Sequence, residues 1–438
     1  MKKYKKLVPV VLIVLMGAGV YSTVSNAADE SNKYQNYLKE ARKQAKLDVV
    51  EDAVADYEKA LELKDSVAVR IELGNVYVKN EWNTEALKWG ESLVDEYPES
   101  AEAYTFLLQQ YITNEKYKEC FQLQEKAVAR KAESEQFDKL MNQIAYTYEF
   151  GYDYYSDVSV FSNGWCAVKD DDNLWGYANL EGQEKISGKF QWAGAFSSDG
   201  VAAVQDENGD FYYISDSGNK KIALQNLKGC SALGMSINQI LPAADGSKYA
   251  YYDQEFKKIA GDYDYASAIN GEVGAICEDG TWYLVDQSGK KKSKTGFKTV
   301  VMDDKGIVFR NDRLFAENDD GYVMLDASGK QIGKSVYESA KLFLENDSLA
   351  AIEENGKWGY VDKDGKVVIE PQFEEAHSFL NGYAAVKVHG KWGFINEKGK
   401  LVIEETFADA RDFNEQGSAF VMVGNQWKLL KLNRNNYK

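Results

Sequence analysis

Residues 356–388 read GKWGYVDKDGKVVIEPQFEEAHSFLNGYAAVKV, and from Gly390 the pattern restarts as GKWGFINEKGKLVIEETF. Trp358 and Trp392 stand 34 residues apart, and each is followed seven residues later by glycine, Gly365 and Gly399. The same offset finds weaker copies: Trp175 with Gly182, Phe211 with Gly218, Trp282 with Gly289, and Tyr322 with Gly329. Tyr249 has Phe256 at that offset, and Trp427 has Arg434. The anchors therefore fall at 175, 211, 249, 282, 322, 358, 392 and 427, spaced by 33 to 40 residues. Before most anchors lies a small-residue segment such as Gly382-Tyr383-Ala384-Ala385-Val386, Gly200-Val201-Ala202-Ala203-Val204 or Gly164-Trp165-Cys166-Ala167-Val168. Each unit thus predicts a small-residue strand, a turn, an aromatic-led strand and a second turn. In Asp362-Lys363-Asp364-Gly365 the glycine supplies the positive φ a tight hairpin needs. Val367-Val368-Ile369 gives a third short strand.

The pattern resembles the WG-repeat family, named for its Trp-Gly pair: well in Trp358-Gly359 and Trp392-Gly393, fairly in Trp175-Gly176, weakly in the middle copies. Trp175, Trp282, Trp358, Gly359, Trp392, Gly393 and Trp427 read as structural repeat anchors. The rings bury apolar area, and the glycines leave room for a neighbouring backbone. An array of such units must manage its sheet edges. A closed β-propeller does so by radial repetition, with Trp427–Leu432 as a last strand closing the ring. An open β-solenoid with caps is the alternative. Closure is the favoured expectation.

Residues 30–150 follow a different period. Ala, Glu, Lys and Leu dominate, and apolar residues recur at helical spacing, as in Ala53, Tyr57, Ala60 and Leu61. Ala53, Ala86 and Cys120 are equivalent, 33 and 34 residues apart. Ala41, Gly74 and Leu108 stand twelve residues before them, and Ala60, Leu93 and Ala127 seven after. Pro98 marks a handover between helical hairpins. Residues 135–150 read as a capping helix; whether the two modules pack rigidly or swing about Gly151-Tyr152-Asp153 stays open in the sequence. The pattern resembles the tetratricopeptide repeat family, with Leu108, Leu93 and Cys120 departing from its small-residue preference. The resemblance implies a concave groove for extended peptides, lined by Leu38, Arg42, Lys46, Ile71, Asn75, Lys79, Thr105 and Gln109. Of these, Arg42, Asn75, Lys79 and Gln109 are the candidate binding residues. Arg42, Asn75 and Lys79 suit a peptide carboxylate.

The first 27 residues have a secretory layout: Lys2, Lys3, Lys5 and Lys6, an apolar run from Leu7 to Val24, then Ser25-Asn26-Ala27-Ala28. A retained anchor is the alternative, since 18 apolar-dominated residues just span a bilayer. Either way the rest of the chain is expected outside the cytoplasmic membrane of a bacterium, secreted or on the cell surface. The 438 residues carry 52 Lys plus Arg against 69 Asp plus Glu, a net charge of −17. That argues against nucleic acid or anionic lipid as the main partner.

The only histidines, His377 and His389, nearly exclude multi-His metal sites and His-based catalysis. His377 can pair with Glu374 or Glu375. Cys120, Cys166, Cys230 and Cys277 form no CxxC motif, so zinc is not indicated, and they read as buried or unpaired thiols. Neither a phosphate-binding glycine loop nor a hydrolase nucleophile motif occurs. Turn chemistry explains Asp170-Asp171-Asp172 and Asn318-Asp319-Asp320 without calcium. No cofactor and no metal are expected.

The sequence thus describes a multidomain α plus β chain: a leader at 1–27, TPR-like α-helical repeats at 30–150 and WG-type β repeats at 155–438. Its expected function is a non-enzymatic, exported scaffold that binds protein or peptide. The 57 aromatics keep a carbohydrate-binding surface protein open as an alternative, and chance carboxylate pairs keep a hydrolase open more weakly.

Overall fold

The computed structural model describes residues 25–221, 229–345 and 347–435, so the apolar leader through residue 24 lies outside it. No helix among the described residues is long and apolar enough to cross a membrane. The chain divides into two compact units at Ile144/Ala145.

The first unit holds seven described helices: α1 (Ser25–Lys46), α2 (Val50–Leu63), α3 (Val67–Lys79), α4 (Asn83–Glu96), α5 (Ala101–Thr113), α6 (Tyr117–Arg130) and α7 (Glu135–Ile144). Each packs against its successor. The nine repeat positions Ala41, Ala53, Ala60, Gly74, Ala86, Leu93, Leu108, Cys120 and Ala127 are all buried. At Gly74 a Cβ would stand 2.6 Å from Phe106 Cζ and 3.0 Å from Trp89 Cδ1, so the glycine makes room for these two rings between the helices. The turns between paired helices place Asp48, Glu81 and Glu115 at φ of 57°, 60° and 53°. This left-handed residue recurs at the repeat period and reverses the chain without glycine.

The described residues of the second unit form eight small antiparallel sheets, in sequence order. The first contains Asp157–Val158, Trp165–Lys169, Trp175–Asn179 and Glu184–Phe190, and the second Trp192–Ala193, Val201–Gln205 and Phe211–Ser215. The third contains Cys230–Leu233, Leu241–Asp245, Lys248–Tyr252 and Lys258–Tyr263, and the fourth Tyr265–Ala266, Gly274–Glu278 and Thr281–Val285. The fifth contains Thr299–Val300, Leu314–Glu317 and Tyr322–Leu325, and the sixth Ser339–Ala340, Ala350–Glu354, Lys357–Val361 and Val367–Phe373. The seventh contains Glu375–Ala376, Tyr383–Val388, Lys391–Asn396 and Leu401–Phe407. In the eighth, Ser418–Val423 pairs with Gln426–Leu432, and the outer strand is Tyr148–Tyr155, from the other end of the unit.

All eight anchors lie at or next to the start of their sheet's aromatic-led strand. Gly182, Gly218, Gly289, Gly329, Gly365 and Gly399 all have φ between 73° and 80°. Phe256 takes φ 58° at the same offset, so the turn geometry persists where glycine is lost. Asp362 Oδ1 locks its turn by accepting from Asp364 N and Lys366 N, and Asp286 and Asp326 repeat the device.

Neighbouring sheets are tied by a buried tyrosine two residues after the anchor. Tyr177 Oη donates to Gly194 O at 2.8 Å, Tyr213 Oη to Gly234 O at 2.6 Å, and Tyr360 Oη to His377 O at 2.9 Å. The eighth sheet is tied to the first: Asn414 Nδ2 donates to Leu180 O at 3.2 Å, and Phe420, Trp427 and Leu429 share a core with Tyr155, Val158 and Phe161.

One expectation, for residues 135–150, is corrected. The capping helix ends at Ile144, not at residue 150, because the following residues complete a sheet. Tyr148 pairs with Leu432 and Phe150 with Leu430, and both rings pack on Phe407. Gly151-Tyr152-Asp153 lies within this strand, where the register shifts between Phe150 and Tyr154.

Candidate functional site

The first strand of sheets one to seven, and in sheet eight the segment after the Ala410–Val421 bridge, leads into one equivalent residue defined by a shared backbone hydrogen bond. The donors are Ser159, Gly194, Gly234, Ser267, Val301, Lys341, His377 and Arg411. Their acceptors are the carbonyls of Ala167, Ala203, Pro242, Ala275, Phe315, Ala351, Ala385 and Phe420, in that order. What stands at this position differs between two arcs of the unit.

In sheets six to eight the residue is basic and lies against its own anchor. Lys341 Nζ is 5.5 Å from the Trp358 ring centre, Arg411 is 4.3 Å over Trp427, and the His377 ring is 5.1 Å edge-on to Trp392. Such contacts are worth about 0.5–2 kcal/mol each, most when desolvated. His377 Nδ1 is 2.8 Å from Asp412 Oδ1, so its carboxylate partner comes from sheet eight rather than from Glu374 or Glu375. Burial works to raise the Asp412 carboxyl, but the charges of His377, Lys341 and Arg411 outweigh it and hold the group below the ordinary aspartate range. Burial lowers the Lys341 amine, against the pull of Asp412, Asp304, Glu375 and Asp409.

In sheets two and three the same position is Gly194 and Gly234, where a Cβ would stand 2.9 Å from Trp192 Cη2 and 2.6 Å from Pro242 Cγ, so Trp192 and Pro242 lie where the basic side chain lies in the other sheets. Both glycines line a cleft of about 370 Å³ with Trp192, Phe211, Met235, Pro242, Tyr249 and Tyr265. Trp192, 40% exposed, packs edge-on against Phe211 at 5.9 Å. Tyr249 and Tyr265 meet at 4.8 Å, and Trp282 lies 5.6 Å from Tyr265. Gln205 supplies a polar group, and Asp304 and Lys305 stand at the sheet-five end. Sequence reading missed this cleft. Its signal was Trp192 and Tyr265, aromatics where the matching residues of sheets one, seven and eight are Asp157, Glu375 and Asp409.

A second cavity, of about 350 Å³, is lined by Asn163, Met235, Asn270, Arg310 and Glu345 among others. Arg310, 7% exposed, donates to Asp303 at 2.9 Å and to Glu345 at 3.0 Å, and Lys305 reaches Glu345 at 3.2 Å. Its charges neutralise one another.

The anchors themselves are not uniformly core. Trp392 and Trp427 are buried, but Trp175, Trp282 and Trp358 are only half-buried. The fully buried ring is often the tyrosine two positions on. Gly359 and Gly393 do face neighbouring backbone: a Cβ on either would stand 2.6 Å from Ile369 O or Ile403 O.

In the helical unit, Arg42 is committed to Glu72 by two bonds of 2.7 Å, and Tyr57 joins the pair. Lys79 is committed to Asp48 and to Ala45 O. Asn75 and Gln109 are exposed, whereas Leu38, expected to line the groove, belongs to the core. The structure therefore does not offer Arg42 and Lys79 as free carboxylate clamps. The four cysteines are unpaired thiols. Burial pushes the Cys120 thiol up to about 12, which makes it a poor nucleophile. Asp170 spends a carboxylate oxygen on Leu174 N, and Asn318 accepts from Asp320 N and Gly321 N, so both acidic turns close on themselves.

Comparison with known proteins supports the repeat reading. The family described as WG containing repeat matches residues 175–209, 324–358, 358–392 and 392–427, so four copies of that repeat lie within the β unit. No curated protein sequence matches the chain. Among solved structures, BamB from Moraxella catarrhalis is similar at 11% identity and a TM-score of 0.41, covering 63% of this chain and 96% of that one. The WD40 domain of SCAP from fission yeast is similar at 10% identity and 0.37, covering 66% and 99%. YrrB, described as a TPR protein with an unusual peptide-binding site, is similar at 23% identity and 0.21, covering 28% and 66%.

Proposed function

We propose that this chain is a non-enzymatic binding scaffold for protein or peptide. In this reading the β unit is a closed eight-bladed propeller, and residues 30–144 form a tetratricopeptide-like array. Strand Tyr148–Tyr155 in the eighth sheet supports closure, because it uses one end of the unit to finish the other. The leader-like layout of residues 1–27 supports export from a bacterial cytoplasm. The observation that carries the function is the contrast between arcs. Where Lys341, His377 and Arg411 cover their tryptophans the face is closed, and where Gly194 and Gly234 stand it opens an aromatic cleft. Open concave sites lined by aromatics with a few polar groups are the usual places for recognition. Asn75 and Gln109 make the helical face a secondary contact.

The test is a crosslinking pull-down from the exported protein fraction with the full chain, repeated with Gly194→Lys, which sets a new side chain against Trp192 and blocks the cleft. A discrete set of proteins lost with Gly194→Lys is expected. The same set retained by the blocked variant would overturn the placement. Depletion of a polysaccharide with no protein captured would overturn the partner class in favour of a carbohydrate-binding surface protein.

A further inference from the structure

Resting on that reading, we propose that the cleft between sheets two, three and four takes a lysine or arginine side chain from an extended, basic segment of the partner. The repeat itself carries the argument. At three of the eight equivalent positions the chain seats its own basic group against the anchor ring, Lys341, His377 and Arg411. At Gly194 and Gly234 that group is missing. No cation of the described residues lies over Phe211, Tyr249, Tyr265 or Trp192, although rings elsewhere in the unit are covered, as Trp175 is by Lys169. The aromatic half of the contact is present and the cationic half is absent.

Asp304 lines the cleft, and three more exposed acids adjoin lining residues along the chain. The turn joining Gln205 to Phe211 carries exposed Glu207 and Asp210, and the turn before Tyr249 carries exposed Asp245. Asp304, also exposed, stands at the far end. None of these four forms an ion pair among the described residues. The nearby lysines are neutralised, Lys248 by Asp264 and Lys305 by Glu345. An aromatic floor under an acidic rim favours a cation with an aliphatic stem: the stem packs on Trp192 and Met235, and the charge faces both the ring faces and the carboxylates. A neutral apolar side chain would gain the floor and nothing from the rim.

The test titrates the full chain, at physiological salt, with the blocked peptide Gly-Ser-Gly-Lys-Gly-Ser-Gly, its arginine counterpart, and a control with norleucine for lysine. The readout is the indole N–H resonance of Trp192, assigned by its loss in Trp192→Ala. Saturable shifts are expected with the two basic peptides, at least tenfold weaker with norleucine. Gly194→Lys, whose Cβ would stand 2.9 Å from Trp192 Cη2 and push that ring into the cleft, should weaken the basic peptides at least tenfold, and a retained cooperative unfolding transition separates this blocking from unfolding. Equal binding of the norleucine peptide, or no perturbation of Trp192 by any peptide, would overturn the occupant. If protein capture is still lost in Gly194→Lys, the scaffold reading stands and only the basic side chain fails. If capture is retained, both fail.

Discussion

Gly359 lies opposite a bulge at Pro371 in the neighbouring strand. Trp358 pairs with Phe373 and Tyr360 with Ile369, so one residue on this strand faces three on the other. A Cβ on Gly359 would stand 2.6 Å from Pro371 N and 2.6 Å from Ile369 O, both backbone atoms that cannot swing aside. Gly393 repeats the geometry against Ile403 O and Glu405 N. The glycine of the Trp-Gly pair is thus fixed by the bulge, and the tryptophan by its packing. Gly359→Ala is expected to cost about 1–3 kcal/mol, the range for forced overpacking. Gly151→Ala, whose nearest atom would be an ordinary 3.6 Å away, should stay within about 0.5 kcal/mol. Thermal unfolding of the two variants checks the difference.

Tyr360 is fully buried, and its hydroxyl is bonded to His377 O of the next sheet. Tyr360→Phe removes the donor and leaves that carbonyl without it. The expected loss is about 1–2 kcal/mol, measured by denaturant titration. Tyr213→Phe should behave alike, because Tyr213 makes the same contact to Gly234 O.

Arg310 is a buried cation held by Asp303 and Glu345. Arg310→Met leaves Asp303 in a half-buried site without its counter-charge. Removing one partner of such a pair costs about 3–5 kcal/mol in buried sites, and the exposed side of Glu345 places this pair at or below the low end. Chemical denaturation of the variant beside the double variant Arg310→Met, Asp303→Asn reads the coupling directly.

The Asp412 carboxyl is held below its ordinary value of 3.8 by His377, Lys341 and Arg411. A depressed carboxylate contributes stability that is fully present above its unfolded value and is lost as pH falls through its folded value. Stability should therefore drop on acidification below 3.8, and Asp412→Asn should lack that part of the drop while being less stable at neutral pH. Unfolding free energy measured across that range checks the sign.

The repeat was legible because its signals are local. A tryptophan at 358 and a glycine at 365 are fixed by a turn that needs positive φ, so the offset survives in drifted copies, and even Phe256 adopts it. The helical period was legible because close helix packing admits only small or fully buried side chains at positions such as Ala41 and Ala86. Strand Tyr148–Tyr155 was not legible. Its partner is Gln426–Leu432, far along the chain, and it abuts a true helix without an intervening Gly or Pro. The bonds of Arg42 to Glu72 and of Lys79 to Asp48 were also hidden, since each joins residues about thirty apart in sequence, the first between two helices and the second from a helix to a turn. The cleft was hidden for a further reason. It is a missing side chain at Gly194 and Gly234, visible only once the eight equivalent positions are aligned by their hydrogen bonds.

The most direct test of the account places a photo-crosslinking benzoylphenylalanine at Asn208, on the turn between Gln205 and Phe211, and separately at Val368 and Gln109. Val368 lies on the outer strand of sheet six, 48% exposed, and Gln109 is exposed on α5. Illumination of the full chain in the exported fraction should join a protein partner to the Asn208 position and none to Val368. Capture from Gln109 alone, with Asn208 silent, would contradict the assignment of recognition to the open arc of the β unit.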